Sequence, residues 1–236
     1  GLVVAVVVLI SVLAGGMRSV TYVQAFQYWL KLTALMVPAV FLLLAWAGDG
    51  APSPALAAGA GWADPLAGSG AHPLYTTYGI IVATLLGTMG LPHVVVRFYA
   101  NPDGRSARRT TLVVLGLLGV FYILPPIYGG LGRIYASDLV TAGRTDAVVL
   151  ELPARVIGGT GGDLLAALLV AGAFAAFLST SSGLTVAVAG VLSQDVVSRR
   201  IDGVTAFRVA AIVAIAVPYV LSLVADDVGV ATAVGL

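Results

Sequence analysis

No charged side chain occurs between Asp163 and Asp195. A helix through that stretch is roughly 45 Å long at 1.5 Å per residue, longer than the ~30 Å hydrocarbon core of a bilayer. Comparable apolar runs recur along the chain, divided by clusters of Gly, Pro and charge. Composition agrees, with 59% hydrophobic and 10% charged residues among 236 and a mean hydropathy of +1.03. An ordinary soluble domain is ~25% charged. The chain therefore reads as an all-α, polytopic integral membrane protein. A net charge of +1 gives no electrostatic basis for binding nucleic acid. The absence of cysteine excludes disulfides and thiolate chemistry.

The runs predict six membrane segments, at 1–14, 24–47, 75–99, 110–135, 163–192 and 205–224, within one transmembrane domain covering 1–236. The Gly/Ala/Pro-rich linker "GDGAPSPALAAGAGWADPLAGSGAHP" cannot bury a core and predicts a mobile surface loop. Residue 1 is Gly, the first run is short, and a further apolar run starts at Val228. These features suggest an internal fragment whose partner is the remainder of its own chain.

Basic residues orient the bundle. Arg18, Lys31, Arg97, Arg105, Arg108, Arg109, Arg199, Arg200 and Arg208 fall on one predicted side, and only Arg133, Arg144 and Arg155 on the other. The positive-inside rule makes the richer side cytoplasmic and starts residue 1 outside. No Asp or Glu lies mid-segment, so a carboxylate proton relay is missing here.

Hydroxyls interrupt the fifth run at Ser179, Thr180, Ser181 and Ser182. A Ser or Thr in a membrane helix commonly bonds the carbonyl three or four residues back. The other reading is a cation site. Ser179 and Thr180 lean toward the Ala176 carbonyl, and neutral oxygens suffice for a singly charged ion. Three ligands of a sodium site would come from this turn, the others from an unwound segment elsewhere. An intramembrane serine hydrolase, using Ser182 with His93, lacks an orienting group and is the remote alternative.

The third run contains Gly87, Gly90 and Pro92 in close succession. Glycine loosens the backbone and proline disfavours helix at Leu91. A break near Thr88–Leu91, with a restart at Pro92, would turn free N–H groups toward an anionic group. Thr84 and Thr88 add neutral donors. A simple kink is the plainer alternative.

"GGMRSVTYVQAFQYWLK", "GTMGLPHVVVRFYANPDGRSARRT", "GVFYILPPIYGGLGRIYA" and "AAFLSTSSGLTVAVAGVLSQDV" together resemble the sodium:solute symporter family. Within it they are most similar to the actinobacterial cation–acetate (monocarboxylate) branch. The resemblance implies a LeuT-like five-plus-five inverted repeat, of which these segments would be core helices four to nine. It implies a sodium site including the Ala176 carbonyl and the Ser179 and Thr180 hydroxyls. It also implies a substrate cavity lined by the stretch from Thr84 to Gly90, including Gly87, Thr88 and Met89. Gln24 stands where many relatives have Asp, which leaves a second sodium site without support. The function implied is symport of sodium, or another cation, with a small monocarboxylate across a bacterial plasma membrane. No enzymatic step and no cofactor beyond the coupling ion are expected. Proline or pantothenate are alternative solutes.

Overall fold

A computed structural model describes residues 2–54, 72–90, 101–197 and 202–224, with the side chains of 15–19 excepted. Among them are seven α-helices: α1 (Leu2–Gly48), α2 (Pro73–Met89), α3 (Gly104–Tyr135), α4 (Ser137–Thr141), α5 (Thr145–Val156), α6 (Gly159–Leu192) and α7 (Gly203–Val224). A π-helical turn, Ser193–Val197, extends α6. Four helical stretches are long and apolar enough to cross a membrane: Val20–Gly48, Gly104–Tyr135, Gly159–Val197 and Gly203–Leu223. Their outward faces carry large apolar side chains, such as Leu112, Leu115 and Tyr122 on α3. Continuous exposure of this kind suits lipid and not water.

The first two predicted segments, 1–14 and 24–47, are not separated by a loop; backbone 2–48 is helical throughout. The physical reason lies in the intervening "GGMRSVTYV". Each glycine costs about 1 kcal/mol relative to Ala in a helix, but no proline removes a donor. Two apolar helices therefore propagate through it. The stretch between the predicted fourth and fifth segments also contains more structure than a connecting loop, namely α4 and α5. The linker from 55 to 71, the predicted restart at Pro92, His93 and the final apolar run lie outside the described residues.

The chain divides into two compact units, one of Gly1–Gln27, Ile80–Ala100 and Ala176–Leu236, the other of Tyr28–Gly79 and Asn101–Ala175. In the first, Val8, Val12 and Val20 of α1 pack with Val186 and Ala189 of α6 and with Ala210 and Ala211 of α7. Alanine at the contact lets helix backbones approach closely, the main source of packing energy where lipid is as apolar as the side chains. The π turn lies against α7, and Ser193 there returns its hydroxyl to the Gly190 carbonyl at 2.8 Å.

The second unit is held by a larger core. Leu32, Ala39 and Leu42 of α1, Leu124, Tyr128 and Leu131 of α3, Val148 and Leu152 of α5, and Leu169 of α6 form one cluster. Buried phenols find carbonyl partners: Tyr128 Oη donates to Leu35 O and Tyr28 Oη to Leu117 O, both at 2.8 Å. Pro38, fully buried in α1, has no N–H for the Ala34 carbonyl. Beside it, α1 and α6 come so close that a Cβ on Gly172 would collide with the Ala34 methyl. Only glycine permits that approach.

The ends of α3 differ in chemistry. Its first turns carry Arg105, Arg108 and Arg109, with Asp103 capping by accepting from Ser106 N at 2.7 Å. That bond holds the Asp103 carboxyl below its ordinary range. At its other end α4 and α5 fold over, turning Val148 and Leu152 inward and charges outward. Arg155 grips Asp138 with two hydrogen bonds of 2.8 and 2.9 Å and reaches Glu151 at 2.8 Å. The Arg155 guanidinium thereby lowers the Asp138 carboxyl, and Glu151 first, then Asp138, raise Arg155.

Candidate functional site

α6 is apolar on all sides, so sequence period alone does not show which face of its hydroxyl cluster turns inward. Packing in the first unit decides it. Val186 and Ala189 face α1 and α7, and one turn earlier on the same face comes Ser182, only 7% exposed. Thr185 is buried beside it. Ser179 and Ser181 are half-buried, whereas Thr180 is exposed, as are Phe177 and Leu184. The two hydroxyls singled out from the sequence therefore differ: Ser179 borders the packed face and Thr180 turns away from it. Ala176, half-buried, lies one turn below them.

Several other helix hydroxyls bond back along their own helices. Ser11, Thr76, Thr77, Thr88, Thr111 and Ser222 each donate to a carbonyl three or four residues back. Among the described residues, Ser179, Thr180, Ser181 and Ser182 do not. Thr33, Thr84 and Thr185 share this property, so what sets the cluster apart is four such hydroxyls in one turn.

One partner reaches the cluster through its backbone. Gln24 of α1, 9% exposed, donates from Nε2 to the Ser179 carbonyl at 2.7 Å. That carbonyl has two lone pairs, so it can serve the helix ladder and the amide together. Three residues on, Gln27 lies on the same helix face and is equally buried. Gln24, Gln27, Ser11 and Ser182 form the polar side of a cavity of about 190 Å³. The sequence signal for it is the pair of amides at spacing three in "QAFQ", inside an otherwise apolar run. Gln24 is noticeable from its place in the family pattern; Gln27 and Ser182 become evident only in the packed helices.

The proposed solute stretch is placed differently. Thr84, Gly87, Thr88 and Met89 continue α2 without interruption, and Gly90 is the turn that ends it. All five are exposed, and no side chain of a described residue approaches the sites where Gly87 or Gly90 would carry a Cβ. Thr88 donates its hydroxyl back to Thr84 O at 2.7 Å, so in this conformation it is occupied within its own helix. The described residues do not bring this stretch against Ala176, Ser179 or Thr180. Nor do they contain a cluster of three or more His, Asp or Glu able to hold a metal.

Comparison with known proteins bears on the whole chain. The model of the sodium:solute symporter family matches residues 2–236. Over 127 residues the chain is 34% identical to the uncharacterized symporter YwcA of Bacillus subtilis, covering 53% of this chain and 24% of that protein. Over 120 residues it is 32% identical to the monocarboxylic acid transporter of Corynebacterium glutamicum, covering 50% of this chain and 21% of that one. The matched segments span less than a quarter of either relative. No solved structure matches. With four helices able to cross a bilayer and a family match along nearly its full length, this multi-pass membrane chain belongs to the sodium:solute symporter family.

Proposed function

We propose that the protein couples inward movement of sodium to uptake of a small monocarboxylate such as acetate, by alternating access, in a bacterial plasma membrane. In a LeuT-like five-plus-five arrangement this chain supplies the region of core helices four to nine, with α1 running continuously through the two segments that the resemblance assigns to the first two of them. The observation that carries the reading is the hydroxyl turn of α6, where Ser179 and Thr180 stand one turn after Ala176 without bonding back along the helix. The absence of carboxylates in the middle of the apolar runs favours a monovalent cation over a proton relay as the driving ion. The name of the Corynebacterium relative, a monocarboxylic acid transporter, supports the solute class.

Sodium does its work through differential affinity. If the ion binds the outward-facing state more tightly, the population shifts to the state that accepts solute from outside. The hydroxyls of Ser179 and Thr180 replace part of the hydration shell, and the solute meets the last turns of α2, from Thr84 to Gly90. The residues of that stretch carry no cation, and their backbone N–H groups up to Met89 are taken up by the helix, so recognition of the carboxylate there rests on the Thr84 and Thr88 hydroxyls.

The test is uptake of labelled acetate and propionate by vesicles containing the full-length protein, with and without sodium. Thr180→Ala and Ser179→Ala should each raise the half-saturating sodium concentration about 5- to 100-fold, as expected for loss of ~1–3 kcal/mol from a partly dehydrated ion. Thr180→Ser should stay near wild type. Unchanged sodium dependence in both alanine variants would place the cation elsewhere.

A further inference from the structure

The cavity beside Ser182 has a composition of its own. One side is polar: Ser11, Gln24, Gln27 and Ser182. The other is aliphatic: Ile10, Ala14, Val20 and Val23. Among the described side chains, no Lys, Arg, His, Asp or Glu lines it. The Oε1 atom of Gln27 is buried and has no hydrogen-bond partner. Gln24 is already engaged, giving Nε2 to the Ser179 carbonyl, and Ser11 has given its proton to Val7 O at 2.8 Å. The cavity thus presents one strong acceptor in want of a donor, with an apolar wall opposite.

A ligand can be specified from that description. It must donate a hydrogen bond, because a buried acceptor left unsatisfied is costly. To suit the described lining it is neutral, because no described side chain there compensates an anion. A bare cation would satisfy the oxygens and leave the aliphatic wall without a counterpart. The volume of about 190 Å³ equals about six waters at ~30 Å³ each, room for a molecule of a few carbons.

We propose that this pocket binds a short-chain carboxylic acid in its undissociated form. The acid O–H donates to Gln27 Oε1 while the primary amide of the same residue donates to the acid carbonyl, a matched pair of donors and acceptors. The alkyl chain lies on Ile10, Ala14, Val20 and Val23. The choice of an acid rests on the monocarboxylate reading above, but the pocket's chemistry extends to a neutral amide of the same shape. This site is distinct from the stretch at Thr84–Gly90, and it holds the solute together with its proton.

The experiment uses the full-length protein in vesicles with Ala14→Cys as a reporter thiol in the pocket wall. Maleimide labelling is compared with the ligand-free rate at the same pH. Propionamide should slow labelling with equal potency at pH 5.5 and 7.5. Propionic acid should protect too, needing about 100-fold more total acid at pH 7.5, because the undissociated fraction falls tenfold per unit above its pKa. Gln27→Leu should abolish protection by both, and Val23→Phe, which fills the apolar side, should do the same without touching the amide. Equal potency of propionate at the two pH values would show that the anion binds and overturn the proposal. So would protection by sodium alone, or protection by neither compound, the result for a pocket that holds only water. Sodium-driven uptake measured in parallel separates the two readings: protection without uptake overturns symport alone, and uptake without protection overturns the pocket alone.

Discussion

The contact between Gly172 and Ala34 allows a quantitative test of how α1 and α6 are paired in the second unit. In Gly172→Ala the new methyl would overlap the Ala34 Cβ. That atom is fixed to a helix backbone and has no rotamer by which to move aside, so the helices must separate. Overpacking of this kind costs about 1–3 kcal/mol, partly offset by the ~1 kcal/mol that Ala gains over Gly in a helix. The single variant should therefore be destabilised by about 0–2 kcal/mol. The reciprocal exchange Ala34→Gly with Gly172→Ala moves the methyl from one helix to the other and removes the collision. A double-mutant cycle should then show a favourable coupling of about 1–3 kcal/mol, read from thermal unfolding in detergent. Additivity within about 0.5 kcal/mol would refute the pairing, because residues that do not touch do not couple.

Three further outcomes are expected. Gln24→Leu removes the donor to the Ser179 carbonyl, and because that carbonyl keeps its helix partner the loss of stability should be only about 0.5–1.5 kcal/mol; a loss above ~3 kcal/mol in thermal unfolding would mean the bond is not the main role of Gln24. The Asp138 carboxyl is lowered by Arg155, so its contribution to the α4–α5 cap is present above the unfolded value of about 3.9 and is lost as pH falls through the folded value. Hydrogen exchange of α5 amides, corrected for intrinsic rates, should be flat from pH 8 to 5 and faster near pH 3 in wild type but not in Asp138→Asn; identical behaviour of the two refutes the linkage. Finally, Arg108→Cys at the basic end of α3 should react with impermeant thiol reagents from the cytoplasmic side and Thr145→Cys from outside, and the reverse pattern would overturn the charge-derived orientation.

Class and family were legible in the sequence because they depend on quantities that survive projection onto one dimension. Hydropathy is summed over about 20 residues, and the stretch from Asp163 to Asp195 is uncharged whatever it packs against. The hydroxyls at Ser179–Ser182 and the glycine–proline cluster after Thr84 are likewise visible as interruptions of an apolar pattern. The helix end at Gly90 follows from backbone chemistry local to a few residues. Direction around the helix axis does not. In soluble proteins the polar face marks the outside, but α6 is apolar all round, and so no period distinguishes lipid from neighbour. Close contact among small residues, Ala189 against α1 and α7, Gly172 against Ala34, decides which side turns in. That is why Ser182, and not Thr180, is the buried hydroxyl, and why two glutamines from a distant part of the chain complete its surroundings. The continuity of α1 through Gly15 and Gly16 was also beyond sequence reading, since two glycines weaken a helix by an amount comparable to what its flanking turns contribute. Sequence determined the solvent this chain lives in and the chemistry it carries; the tertiary structure decided which of those groups meet, because in lipid the packing of small side chains, and not hydrophobic burial, sets the faces.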